Sequence, residues 1–197
     1  MIHIPAGFMK TLTDKRVNWL FQSEPSEGTA GRRIHAPRGK VLGGSSSING
    51  HVYNRGPSTD FNTWAQMGNR GWSYADVLPY FKRSENRVGG DDKNYHGRDG
   101  ELAVTDIDAH DPVCDAFIDG VANMGIPRNP DYNGATHAGV GYFQRTIKNG
   151  RRMSAAVSFL NPARHRKNLD IRTGAHVERI LFEGRRAVAV RYRRGGK

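Results

Sequence analysis

The stretch Gly39-Lys40-Val41-Leu42-Gly43-Gly44-Ser45-Ser46-Ser47-Ile48-Asn49-Gly50-His51-Val52-Tyr53-Asn54-Arg55-Gly56 decides how this chain is read. No other segment gathers so many conformationally special residues. Gly43 and Gly44 lack a Cβ, so the backbone there can take positive φ and let a flat or anionic ligand come close. Three serines follow, and successive N–H groups in such a turn can form an anion-binding nest. Asn49 both donates and accepts, Gly50 again permits close approach, and Arg38 and Lys40 place positive charge at the entrance. Composition alone would favour a solvated Gly/Ser linker. Against a linker, Val41, Leu42, Ile48, Val52 and Tyr53 interleave apolar side chains that a free tether does not need. The reading is a buried loop wrapped on a ligand.

The rest of the chain bounds what that loop can belong to. Its 197 residues allow one domain or one and a half, and a hydrophobic content of 37% is low for a self-sufficient core of that size. The single cysteine, Cys114, excludes an internal disulfide and fits a reducing compartment. No apolar run approaches the ~20 residues of a membrane span. The start, Met1 to Gly7, has neither a basic nor an apolar region of the secretory kind. The formal charge of +11 is the one argument for a nucleic-acid partner. The basic residues read as scattered along the whole chain, with a local cluster at Arg164-His165-Arg166-Lys167. No zinc-ligand spacing or helix-turn-helix pattern accompanies them.

In chain order, residues 1–38 show little periodicity and read as a connecting segment. Asp60 is placed as the N-cap of a helix over Phe61 to Met67, closed by Gly68. Ser73 and Asp76 form a capping-box pattern, after which Pro79 predicts a kink or two short helices. Phe61, Trp64, Tyr80 and Phe81 are assigned to the core. Residues 87–100 read as a polar glycine-rich loop with an exposed His96, and Glu101 to Thr105 as a strand. Asp111-Pro112 opens a helix with Val113, Phe117 and Val121 recurring on one apolar face; Cys114 lies in the same helix beside Asp115 and reads as structural. Tyr142 to Lys148 alternates as a strand. Ser154 caps a helix that stops before Pro162. Leu169, Ile171 and Thr173 read as a strand. A hairpin then turns at Gly184-Arg185, with Val188, Val190 and Tyr192 on one face.

The run Gly39-x-Val41-Leu42-Gly43-Gly44-Ser45-Ser46-x-Ile48-Asn49-x-x-x-Tyr53-x-x-Gly56 resembles the first signature of the glucose–methanol–choline (GMC) oxidoreductases, FAD-dependent alcohol oxidases and dehydrogenases. Asp60-Phe61-Asn62-Thr63-Trp64-Ala65 and Gly71-Trp72-Ser73-Tyr74 are similar to the choline and alcohol dehydrogenase branch. The resemblance covers essentially the whole chain and part of the family's length. It implies an α+β or α/β fold class: a partial FAD-binding domain plus part of an antiparallel-sheet substrate domain. The boundaries it suggests are 1–100 for the FAD-binding segment, 101–165 for the substrate-binding part and 166–197 for strands returning to the FAD domain.

By the same resemblance, Val41, Gly43, Gly44, Ser45, Ser46, Asn49, Gly50, His51 and Val52 line the flavin and its ribityl-phosphate arm. Val177 meets the adenine end. Some relatives tether the flavin through a histidine of this loop. Ile48 stands at that position, which implies non-covalent FAD. The expected partner is a small alcohol, choline or another primary alcohol, with oxygen, a quinone or a carrier protein as acceptor. The expected location is the cytoplasm, with membrane association through the acceptor as a variant.

The family's Gly-x-Gly-x-x-Gly start and its catalytic histidines do not match any part of these 197 residues, so no catalytic or metal-binding residue is assigned. The chain alone is expected to be inactive. The competing readings are a basic nucleic-acid-binding protein and an inactive structural remnant.

Overall fold

A computed structural model describes residues 1–90 and 92–195. The chain forms two compact units, Met1–Pro162 and Ala163–Lys197. The first opens with a turn of 3-10 helix at Pro5–Gly7 and a short α1 (Phe8–Thr11). β1 (Phe21–Gln22) then pairs antiparallel with β2 (His35–Ala36), so residues 1–38 are an ordered arm.

The helical layer follows the glycine-rich loop. α2 spans Ser58–Gln66 and begins two residues earlier than Asp60, because Pro57 already takes the extended N-cap conformation. Asp60 instead lies in the first turn, where a carboxylate favours the exposed N–H groups of the helix. α3 (Tyr74–Ser84) starts on the expected capping box: Ser73 Oγ accepts from the Asp76 N–H at 3.3 Å, and Asp76 Oδ2 accepts from the Ser73 N–H at 3.1 Å. Pro79 does not split it. The proline removes one donor, and a single lost bond does not end a helix capped at one end and packed on its neighbour. That packing is aromatic, with Phe61 edge-on to Phe81 at 5.6 Å and to Trp64 at 5.3 Å. Phe61 is buried and Phe81 half-buried, whereas Trp64 and Tyr80, expected in the core, are exposed.

β3 (Glu85–Val88) runs parallel to β4 (Leu102–Thr105), so Arg87 and Val88, read as loop, belong to a strand. α4 (Pro112–Asn123) is capped by Asp111, whose Oδ1 accepts from the Val113 and Cys114 N–H groups. Its expected inward stripe faces outward: Val113 and Phe117 are 77% and 67% exposed, Cys114 is exposed, and Ile118 is the buried residue. β5 (Ile147–Lys148) and β6 (Arg151–Arg152) form a tight hairpin. Ser154 then caps the next helix through Val157 N–H, as expected. That helix passes through a π-turn at Ala156–Leu160 into α5 (Asn161–Ala163), so Pro162 lies inside it rather than beyond its end.

The second unit is an antiparallel hairpin, β7 (Ala175–Glu183) and β8 (Arg186–Arg194), turning at Gly184-Arg185 with two register shifts. The expected strand over Leu169 to Thr173 is absent among the described residues, where this segment lies outside regular structure.

Among the described residues of the first unit the buried apolar side chains are few, namely Ile48, Phe61, Ala103, Val104, Ile118 and Tyr132, and more of the buried residues are polar. His96, expected on an exposed loop, is buried between two carboxylates. Its Nδ1 lies 3.1 Å from both Glu85 oxygens and its Nε2 lies 2.7 Å from Asp131 Oδ2. Glu85 Oε2 also accepts from Arg55 Nη2 at 2.5 Å and from the Gly97 N–H at 2.9 Å. The spacing in sequence concealed this cluster, since its carboxylates lie 11 and 35 residues from His96. It anchors the far end of the glycine-rich loop, because Arg55 belongs to both.

Candidate functional site

Two of the loop's glycines are demanded by its own fold. A Cβ on Gly39 would stand 2.2 Å from the Gly44 carbonyl oxygen, and one on Gly43 2.6 Å from Ser47 Oγ. Gly43 (φ 86°) and Gly44 (φ 55°) take positive φ, as expected, and Gly44 leads into the 3-10 turn Gly44–Ser47. Gly44 differs from the other two: a Cβ there would meet nothing within 4 Å. Gly50 does not take positive φ, and a Cβ there would make only ordinary contact with the Phe8 ring at 3.9 Å.

The serines tie the turn together. Ser45 Oγ accepts from the Gly39 N–H at 3.1 Å, and Ser47 Oγ donates to the Leu42 carbonyl at 2.9 Å. Ser46 Oγ donates to the Gly43 carbonyl and accepts from the Ala155 N–H at 2.9 Å. Ile48 and Ser47 are buried, which excludes the linker reading.

A second segment, residues 144–155, holds the loop in place. Tyr53 N–H donates to the Gln144 carbonyl, and Thr146 N–H to the His51 carbonyl at 2.8 Å. Arg145 Nη1 reaches the Gly50 carbonyl at 2.9 Å. Arg152, 1% exposed, donates to the carbonyls of Ser46 and Asn49. In the sequence Arg151-Arg152 was one arginine pair among several, and no local signal set it apart.

His51 is the most constrained member of the site. It is 3% exposed, stands at φ 65°, and its Nε2 has no hydrogen-bond partner. A non-glycine residue held there costs on the order of 1–3 kcal/mol and persists where its surroundings over-determine it. Burial, and then the neighbouring charge of Arg152, push its pKa down to about 4, so the ring is neutral at pH 7. With Gly50 it borders an open groove of about 700 Å³, lined also by Pro5, Phe8, Asp106 and Arg145. Val41, Gly43, Gly44, Ser45 and Ser46 do not line that groove. Asn49 and Val52 are exposed on the loop surface. Val177 lies on β7, in the other unit, and is exposed.

The charge is less evenly spread than the sequence suggested. The basic residues themselves are spread over both units, but Ala163–Lys197 holds eleven of them against three acidic ones, a net of +8 out of +11. Among the described residues no group of three or more His, Cys, Asp or Glu could hold a metal ion. No helix among them is long and apolar enough to cross a membrane.

The chain is similar to known proteins throughout its length. It is 46% identical over 196 residues to an oxygen-dependent choline dehydrogenase of Rhizobium etli (strain CIAT 652), covering 100% of this chain and 35% of that protein. Among solved structures, it superposes on a pyridoxine 4-oxidase from Mesorbium loti with a TM-score of 0.89 and 34% identity, over 98% of this chain and 38% of the other. It also superposes on an FAD-dependent oxidoreductase from Chaetomium thermophilum with a TM-score of 0.82 and 27% identity, over 90% and 33% of the two chains. The chain thus spans about a third of the length of these relatives. Its residues 6–197 match the family profile described as GMC oxidoreductase, and the chain belongs to that family.

Proposed function

We propose that this chain supplies the flavin-facing loop and part of the substrate region of an FAD-dependent oxidoreductase acting on the CH–OH group of a small alcohol. The observation that carries this reading is Gly44: it stands at positive φ on a loop otherwise pinned to its own protein, with open space where a side chain would be. Elsewhere on the same loop, the buried His51 Nε2 is a polar atom that the protein's own contacts leave unused. A flat ring system needs both a side-chain-free approach and backbone or side-chain polar atoms at its edge. Bound FAD would supply the hydride acceptor. Val41, Gly43, Gly44, Ser45, Ser46, Asn49, Gly50, His51 and Val52 would hold it, with Val177 at the adenine end. Ile48 is apolar and buried, which supports non-covalent binding. Residues 1–100 are assigned to the FAD-binding part, 101–165 to the substrate part and 166–197 to strands of the FAD-binding part. The name of the Rhizobium etli relative makes choline and oxygen the first substrate and acceptor to assay.

The test is a titration of the chain with FAD, followed by flavin fluorescence. Saturable quenching is expected, weakened at least about tenfold by Gly44→Ala while far-UV circular dichroism stays unchanged. Absence of quenching, or equal affinity of Gly44→Ala, would refute the reading. Without added protein segments the chain is expected not to turn over choline.

The charge of Ala163–Lys197 favours a second reading, binding of a nucleic acid. It predicts an association constant that falls steeply with salt.

A further inference from the structure

Among the described residues Arg152 is the largest fully buried side chain, and no carboxylate among them pairs with it. Its guanidinium is directed at the loop. Nη1 donates to the Ser46 carbonyl at 3.0 Å, the Asn49 carbonyl at 2.8 Å and Asn49 Oδ1 at 2.9 Å. Nε donates to the Ile2 carbonyl at 2.8 Å, and Nη2 is buried without a partner. Asn49 Oδ1 also accepts from the His51 N–H at 3.2 Å, the residue held at positive φ. One cation therefore fixes Ser46 and Asn49 directly and His51 through Asn49. Burying a cation is costly, and a neutral amide could satisfy one of these carbonyls. All three loop contacts come from Nη1 while Nε of the same rigid group holds the Ile2 carbonyl, so the guanidinium fixes the direction of Nη1 in a way that a freely rotating ammonium does not.

We infer that Arg152 is a positioning residue of the cofactor loop: acting through Asn49 and His51, it sets the backbone of residues 46–51 in the conformation that meets FAD. This rests on the flavin-facing reading of the loop. The experiment compares Arg152→Met, Arg152→Lys and Asn49→Ala by amide hydrogen exchange over residues 46–52 and by FAD titration, with melting curves alongside. In Arg152→Met, exchange at the His51 amide should rise, and FAD binding should weaken, by about tenfold or more. Arg152→Lys keeps the charge without the rigid guanidinium and should stay close to Arg152→Met. Asn49→Ala should reproduce the faster exchange at His51 with little change in melting temperature.

Wild-type exchange and affinity in Arg152→Lys would overturn the inference, as would unchanged exchange in Arg152→Met. Should Arg152→Met fail to fold, the other two variants decide, and wild-type exchange at His51 in Asn49→Ala would overturn it. If the unaltered chain binds no FAD, the flavin reading falls, while the exchange data still decide whether Arg152 sets the loop.

Discussion

Raising the pH from 6.5 to 9.5 is expected to remove about 3 kcal/mol of stability from the unit Met1–Pro162, through His96. Burial by itself would push this imidazole down. Hydrogen bonds to Asp131 and Glu85, together with their negative charge, override burial and raise its pKa from 6.5 to about 9. Both ring nitrogens face carboxylate oxygens, so the protonated ring satisfies both acceptors and the neutral ring leaves one contact repulsive. A proton held more tightly in the folded state stabilises it fully below pH 6.5. That stabilisation fades as the pH climbs through about 9. At about 1.4 kcal/mol for each pH unit between the two values, the loss is about 3 kcal/mol. The depressed Asp131 carboxyl reflects the same contact and adds nothing further.

The assay is urea unfolding followed by tryptophan fluorescence at several pH values between 6 and 9.5, on the natural chain and on His96→Gln. The variant should be less stable at pH 6 and nearly flat across the window. Stability that stays constant in the natural chain would refute the reasoning. So would an equal slope in His96→Gln, since the titration would then belong to other groups.

Two further outcomes follow from the same interior. Glu85→Ala removes the carboxylate shared by Arg55 and His96 and leaves both buried, so urea unfolding at pH 7 should show a loss of about 3–5 kcal/mol. Loss of less than about 1 kcal/mol would mean that Arg55 finds another partner. Gly39→Ala would drive a Cβ into the Gly44 carbonyl, which is backbone and cannot swing aside, so a melting curve should register about 1–3 kcal/mol of destabilisation. An unshifted melting temperature would show that the turn yields.

Local chemistry made several elements legible in the sequence alone. Ser73 and Asp76 cap α3, Asp111 caps α4, and Gly184-Arg185 turns the hairpin, because each depends on residues within three or four positions. The special backbone of Gly43 and Gly44 belongs to the same class, and the loop was identified from it. What the tertiary structure alone decided are the partners separated by long stretches of chain. Arg152 reaches Ser46 across 106 residues, and His96 meets Asp131 across 35. An arginine pair or a lone histidine looks the same in sequence whether it is solvated or buried. The apolar stripe of α4 shows the limit from the other side: periodicity marked a face, but only the folded chain showed that Ile118 is buried while Val113 and Phe117 remain exposed. Periodicity records which residues share a side of a helix, and burial depends on what that side is packed against.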